Sequence, residues 1–535
     1  MNHRELSSLA NRTFDLLVCG GGIYGAWTAY DAALRGLNVA LIDQGDWGGA
    51  TSSASSKLVH GGLRYLEQLE FNLVRKTLAE REMLMKAAPH RVWPLRFGVP
   101  VYTHSRAGRL KMKLGLMLYD FLAADQSSVS KHRFFPRNRF VERFPFLITE
   151  KLKCGFTYVD AQTDDARLVL ELVDGAIKAG AVCVNYCKLT GLIEGGQQAT
   201  GAQLIDCLTN QSYAIKARQI VFATGRWQGS DDQVKNECLL TRGIHLIMPP
   251  LVKNEALLLT AQSDGRVFFV IPWYGLTLLG TTDTPYHGSP EAIEIDSSDI
   301  HYLLDAVNGY LQKPWTEADI IGAFAGVRVM KSAAESSAES AAAPSSVSRD
   351  WALKTTATGV HYSIGGKLTS ARQDASKIVD HVCAELGIQV PCATQGRFFP
   401  WFPQEIADFP EWSDNIQKKI VQSGVDPDSA FWLVRRHGKK VVSILQAIEQ
   451  QPALAQRIVP SLPFIEADLM HCAAHEMVIH LDDLLRRRIP LLILTTLTKT
   501  DLERITEKVA NLLNWDSARC QQEMERCETY TRAIV

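Results

Sequence analysis

Gly20, Gly22 and Gly25 stand in the order G-x-G-x-x-G, a spacing suited to holding a nucleotide diphosphate. The first glycine permits a tight turn, and the second lets backbone approach a pyrophosphate. The third lets a helix pack close on a strand, with the diphosphate at the helix's positive end. Asp43 follows at about the distance where an acid accepts hydrogen bonds from an adenosine ribose. Alone, this fingerprint does not separate NAD from FAD. Next, Thr51, Ser52, Ser53, Ser55 and Ser56 form a polar run of small residues that leads to Lys57, His60, Gly61 and Gly62. Such a run can wrap backbone and hydroxyl donors around a large cofactor; an ordinary serine-rich loop is the plain alternative.

The elements that must position these groups are legible from periodicity. Phe14 to Cys19 is a short apolar run expected as a strand, Ala26 to Arg35 a helix that Gly36 can terminate, and Asn38 to Ile42 a second strand ending at the acid. Further strands of the same unit are expected around Ile220 to Ala223 and near Val360 to Ile364. Gly265 to Ile271 and Thr277 to Gly280 belong to a largely antiparallel sheet that would roof the cofactor. Residues 331–348 are a low-complexity Ala/Ser/Glu insertion, expected as a surface loop. From about Ala393 the pattern turns helical, so residues 1–392 read as interleaved cofactor-binding and capping domains and 393–535 as a helical C-terminal domain.

Composition narrows the function class. A chain of 535 residues exceeds one compact core. A net charge of −1 gives no electrostatic case for nucleic-acid binding. Eleven cysteines without a CxxC pair read as reduced thiols, which places the protein in the cytoplasm. No secretory signal and no apolar run of the ~18 to 20 residues needed to span a bilayer are expected. Membrane contact would then be peripheral. Residues 106–124 join Arg106, Arg109, Lys111 and Lys113 to Leu114, Leu116, Met117, Leu118, Tyr119 and Phe121. That pattern suits either an anionic bilayer surface or an amphipathic core helix with a solvated end.

The order of residues in the serine-rich segment is more specific than its composition. S-S-K-L-V-H-G-G-L-R-Y-L-E at 55–67 resembles the FAD-dependent, quinone-linked glycerol-3-phosphate dehydrogenases. The resemblance continues through YVDAQTDDARLVL (158–170), VFATGRW (221–227), the segment Gly243 to His245, GRVFFVIPW (265–273), GTTD (280–283) and GGKLTSAR (365–372). It spans roughly residues 12 to 392. It implies an α/β, Rossmann-like FAD-binding fold with an antiparallel-sheet capping region and an α-helical C-terminal domain. The implied cofactor is non-covalent FAD, the substrate the phosphorylated polyol sn-glycerol 3-phosphate, oxidised to dihydroxyacetone phosphate, and the electron acceptor a quinone, with the protein peripheral on the cytoplasmic membrane. A homodimer is compatible with this reading. Alternatives are an oxidase or dehydrogenase of another phospho-polyol, or a flavin-retaining regulator or scaffold.

Such chemistry needs fixed cations for a dianionic phosphate, a C–H aimed at the flavin, and a base for the hydroxyl proton. By resemblance, Arg328 and then Arg349 are the phosphate clamp, Arg64 and Tyr65 line the same pocket, and Lys367 reaches both flavin and substrate. His245 is the candidate base, with a histidine bonded within a sheet as the other reading. Gly225, Gly366, Leu368 and Thr369 join the residues above as cofactor contacts, and His60 is a flavin contact or an attachment point. Thr281, Thr282 and Asp283 would bond backbone or cofactor, or cap a turn. No metal is expected: His475, Glu476 and His480 read H-E-x-x-x-H, which puts the histidines about 140° apart on a helix. The chain departs from the family at Tyr24 and Trp27, large residues where small ones are expected and where they would crowd the pyrophosphate. It also departs at Val329, which stands in place of proline, and in the long loop between Arg328 and Arg349.

Overall fold

The computed structural model describes residues 4–10, 12–123, 131–332 and 351–532. The first apolar run forms the strand Thr13–Cys19, buried from Leu16 onward. It pairs in parallel with Val39–Ile42 on one side (Leu17 opposite Ala40) and with Ser212–Phe222 on the other (Leu17 opposite Ile220). Val360–Ile364 lies parallel beyond Ser212–Phe222, and Val182–Val184 beyond Val39–Ile42. Four of the five parallel strands thus come from the three regions expected, the fifth, Val182–Val184, being an addition, and Ala352–Thr355 with the hairpin Cys187–Gly195 and Gln198–Asp206 completes eight. From Thr13–Cys19 the chain builds outward in both directions. Its carboxyl end is therefore the switch point at which an open α/β sheet leaves a crevice.

The fingerprint helix is Ile23–Leu34, three residues earlier than its apolar periodicity predicts, because Gly22 in extended conformation is its N-cap. Gly36 ends it with φ +87°. The helix is buried on nearly every side, sharing a core with Asp165–Lys178 and Ala371–Glu385.

The second sheet has ten strands, in the order Thr284–Pro285, Cys238–Met248, Leu276–Gly280, Val267–Trp273, Glu255–Thr260, Val92–Tyr102, Leu152–Thr163, Leu58–Val59, with Gly322–Lys331 and Arg133–Pro136 added at the sides. It is antiparallel except where Glu255–Thr260 meets Val92–Tyr102. Period-two alternation turns Phe97, Tyr158, Leu258 and Phe269 to one face, where they line a cavity shared with the first sheet. On the same sheet, Phe97, Tyr158, Trp273 and Phe324 share one apolar core with Leu469, Leu485, Ile493 and Leu502 of the helical C-terminal region. Two of that region's helices start on strong N-cap signals. Asp426 caps Pro427–His437 by accepting from the Ser429 N–H, and Thr498 forms a capping box with Asp501.

Candidate functional site

The fingerprint corner is built by exclusion. Gly20, at φ +108°, leaves no room for a side chain, since a Cβ there would lie 2.5 Å from the Ala223 carbonyl oxygen. A Cβ on Gly25 would lie 1.8 Å from the Gly20 oxygen, so helix and turn meet only through glycine. Gly22 caps the helix without a side chain, and the Ile23 N–H donates to Ser52 Oγ at 2.9 Å. Asp43 accepts from the Gly21 N–H at 2.6 Å and the Gly45 N–H at 2.8 Å. Burial pushes its carboxyl up to about 6, while those two N–H groups oppose the shift.

From this corner a cavity of about 930 Å³ runs between the two sheets. Its walls carry most of the expected cofactor residues: Gly20, Gly22 and Asp43 at one part, Thr51, Ser52, Ser55, His60 and Gly62 along it, and Gly225, Gly366, Lys367, Leu368 and Thr369 opposite. The His60 N–H donates to Thr369 Oγ1 at 3.1 Å, tying the two strongest sequence blocks together. Gly62 and Gly225 both have positive φ.

Four residues expected at the cofactor stand behind the wall instead: Gly25, packed on the Gly20 turn, and Lys57, Ser53 and Gly61. Lys57 is buried, its ammonium 2.6 Å from Asp165 Oδ1, 2.9 Å from the Ser53 oxygen and 4.8 Å from the Trp273 ring centroid. Ser53 turns its hydroxyl to the Ala50 oxygen. Gly61 donates to Asp160, and a Cβ there would lie 2.4 Å from both Leu78 and Tyr119. An unpaired buried ammonium is costly, so the acid that pairs with it sets the path of the serine loop. Asp165 also accepts from the N–H and hydroxyl of Ser55.

Another part of the cavity wall gathers cations. Arg328 donates to Thr281 Oγ1 (2.9 Å), the Thr282 oxygen and Asp283 Oδ1 (both 3.2 Å), and faces the cavity. The Lys367 ammonium lies 4.5 Å from the centroid of Tyr65. Arg266, which sequence reasoning did not single out, lines the same cavity and donates to the Asp283 oxygen at 2.7 Å. Its signal was its place at the head of the quoted GRVFFVIPW block. Arg349 and the insertion at 331–348, apart from Lys331 and Ser332, lie outside the described residues, as does the side chain of Arg64.

His245 is not on the cavity wall. It is buried, stacked on Phe324 at 4.9 Å between centroids, with Nε2 2.9 Å from Ser56 Oγ; Ser56 is the residue that reaches the cavity. Burial, then the charges of Arg328 and Lys57, hold its imidazole well below the usual histidine range, so it is neutral near physiological pH.

The large residues at the fingerprint turn do not block it. Trp27 packs edge-on against Phe399, and the Tyr24 hydroxyl turns to Asp374 at 2.8 Å. The H-E-x-x-x-H residues diverge: Glu476 pairs with the buried Arg167, while His480 Nδ1 lies 2.8 Å from Glu523. His437, His471 and Glu476 do bring ligand atoms within 4.8 Å of one another. There the carboxylate is already neutralised by Arg167, which also lies 3.3 Å from His437 Nδ1.

A family model described as FAD dependent oxidoreductase matches residues 15–372, and one described as the C-terminal domain of alpha-glycerophosphate oxidase matches residues 407–520. The glycerol-3-phosphate dehydrogenase of Synechocystis sp. is 32% identical, covering 98% of each chain. The aerobic glycerol-3-phosphate dehydrogenase of Staphylococcus aureus is 32% identical over 97% of this chain and 95% of its own. The solved structure of glycerol-3-phosphate dehydrogenase from Bacillus halodurans, complexed with FAD, superposes with a TM-score of 0.79 at 27% identity, covering 99% of this chain and 96% of that one.

Proposed function

This chain belongs to the family of FAD-dependent oxidoreductases that includes the glycerol-3-phosphate dehydrogenases, and we propose that it oxidises the secondary hydroxyl of sn-glycerol 3-phosphate to dihydroxyacetone phosphate, passing electrons from FAD to a membrane quinone. The observation that carries the reading is the convergence of Arg328, Arg266 and Lys367 on one cavity beside a glycine-lined nucleotide corner. Gly20, Gly22, Ser52 and Asp43 would hold the diphosphate and ribose. His60, Gly225, Gly366, Leu368 and Thr369 would face the flavin half. Bound FAD supplies the hydride acceptor.

The protein's own part is positioning and proton movement. Arg328 and Arg266 hold the phosphate dianion, with Tyr65 and Lys367 fixing the polyol. The substrate hydroxyl proton passes to Ser56 Oγ as the Ser56 proton passes to His245 Nε2, across the 2.9 Å contact. A phosphate dianion on Arg328 cancels one of the charges that depress His245, so substrate binding itself raises the basicity of the acceptor. Residues 1–392 would carry this chemistry, with 393–535 as the helical domain.

Membrane contact falls to the helix Arg109–Ala123. Leu116 and Tyr119 are buried, but Leu110, Leu114, Met117 and Phe121, spaced as one face, are 70, 57, 49 and 75% exposed. That favours a bilayer surface over a core helix, and no helix among the described residues is long and apolar enough to cross a membrane.

Anaerobic bleaching of the flavin absorbance tests the donor. Addition of sn-glycerol 3-phosphate should bleach it within the mixing time, while glycerol and erythritol 4-phosphate should not. A flavin reduced by none of the three would sink the reading. Admitting a soluble quinone or oxygen afterwards reports which acceptor restores the colour.

A further inference from the structure

We infer that the C-terminal helices form part of the FAD site, with Arg526 and Tyr530 of the last helix closing over its adenosine end. The strand order puts Val39–Ile42 next to Val182–Val184. A ribose held by Asp43 therefore sends its base toward that edge strand and the loop after it. Tyr186 in that loop and Cys187 at the start of the next strand line the cavity, and so do Gln44 and Asp46 just beyond Asp43. Across from them the wall is made of Asp482, Arg487, Arg526 and Tyr530, more than a hundred residues beyond the segment that matches the oxidoreductase family model.

These residues are anchored on both sides of the adenosine end. Asp46 accepts from both Arg487 and Arg488, all three being buried. Asp483 accepts from Arg487 and from the Tyr186 hydroxyl, both at 2.6 Å. Asp482 then accepts from Arg526 Nε at 2.6 Å and the Tyr530 hydroxyl at 3.0 Å, which holds the helix Ser517–Arg532 over the cavity. Removing one partner from such a network strands another buried charge, so the clasp is costly to break. The Arg526 guanidinium, still 44% exposed, and the phenol offer donors and an apolar face to a purine.

This inference rests on FAD being the cofactor and is tested without turnover. Holoprotein carrying Arg526→Ala is diluted, and the rise of free-flavin fluorescence gives the release rate. Release should be roughly tenfold faster than from the parent protein, the equivalent of about 1.4 kcal/mol. In competition experiments on flavin-stripped protein, ADP should lose affinity in the same proportion, whereas FMN, which lacks the adenosine, should bind both proteins equally. Tyr530→Phe, which removes one hydroxyl and keeps the ring, should give a smaller change in the same direction and guards against misfolding of the alanine variant. Unchanged FAD release, or equal weakening of ADP and FMN, would overturn the assignment. Flavin absent from the parent protein would instead count against the cofactor reading itself.

Discussion

The Tyr24 hydroxyl accepts the Lys367 backbone N–H at 3.0 Å while donating to Asp374 Oδ2 at 2.8 Å, so the first turn of the fingerprint helix fixes the loop that presents Lys367 to the cavity. Burial first, and then Asp374, push the phenol well above its ordinary range, and it stays a neutral donor. The approach is close enough that a Cβ on Gly366 would lie 1.8 Å from Tyr24 Oη.

Tyr24→Phe should therefore leave the Lys367 N–H without its acceptor, a loss of about 1–3 kcal/mol. The expected outcome is a lower melting temperature and a raised KM for glycerol 3-phosphate with flavin still bound. An unchanged melting curve would show that the bond contributes nothing. Gly366→Ala should be worse, because neither its left-handed backbone nor Tyr24 can yield easily.

Much of this was legible in the sequence, and the reason is locality. The fingerprint glycines, the acid after the second strand and the apolar runs of the parallel sheet are short-range patterns with one favoured structure each. Lys57 was misplaced because its sequence neighbours say nothing of Asp165, which the fold brings to it from 108 positions away. For the same reason Arg487 and Arg526 carried no local mark of a cavity formed with Asp43. The fingerprint helix starts earlier than its periodicity predicts because Gly22 caps it through backbone alone, with no Ser, Thr or Asp to announce it.

Asp43 sets a pH dependence. Raised to about 6 in the fold against an unfolded value of ~3.9, it binds a proton that the unfolded chain has already lost between those values. Its contribution to stability of the FAD-free protein is fully present below pH ~3.9 and is lost as pH rises through about 6. Cofactor binding runs the other way, because the ribose hydroxyls need the carboxylate as acceptor. FAD affinity, followed by fluorescence titration, should rise through pH 6 and level off above it. Asp43→Asn should flatten that profile; a variant that keeps the inflection would assign it to another group.

Breaking the buried pair at Lys57 should be severe. Lys57→Met strands Asp165, which is fully buried, at an expected cost of about 3–5 kcal/mol. Because Asp165 also holds the N–H and hydroxyl of Ser55, the purified variant should carry less flavin as well as melt earlier. The double variant Lys57→Met with Asp165→Leu should recover part of the stability, since no lone charge is left inside. Recovery absent from the double variant would mean that packing around Trp273, not charge, dominates the site.

The cations at the substrate end should separate from those at the cofactor. Arg328→Ala removes a charge-assisted contact worth about 1.5–3 kcal/mol, so KM for glycerol 3-phosphate should rise roughly 10- to 100-fold with flavin content intact. Arg328→Lys keeps the charge but cannot reach Thr281, Thr282 and Asp283 together, and should recover little. Arg266→Ala should raise KM by a smaller factor. Steady-state kinetics with glycerol 3-phosphate would remove either arginine from the site if its KM were unmoved.

The exposed face of Arg109–Ala123 makes the proposed membrane contact testable. Leu114→Glu with Phe121→Glu places two acids where the apolar side chains would enter the bilayer, without touching Leu116 or Tyr119, which hold the helix to the protein. The parent protein should sediment with vesicles rich in phosphatidylglycerol, and added salt should weaken that binding, because Arg106, Arg109, Lys111 and Lys113 each contribute about 1 kcal/mol at an anionic surface. The double variant should stay in the supernatant while its flavin still bleaches at the parent rate with glycerol 3-phosphate. Sedimentation equal to the parent's would place the membrane contact elsewhere on the molecule. Loss of bleaching together with sedimentation would mean that the helix supports the cavity, which it reaches through the bond from the Tyr119 hydroxyl to Asp160 at 2.8 Å.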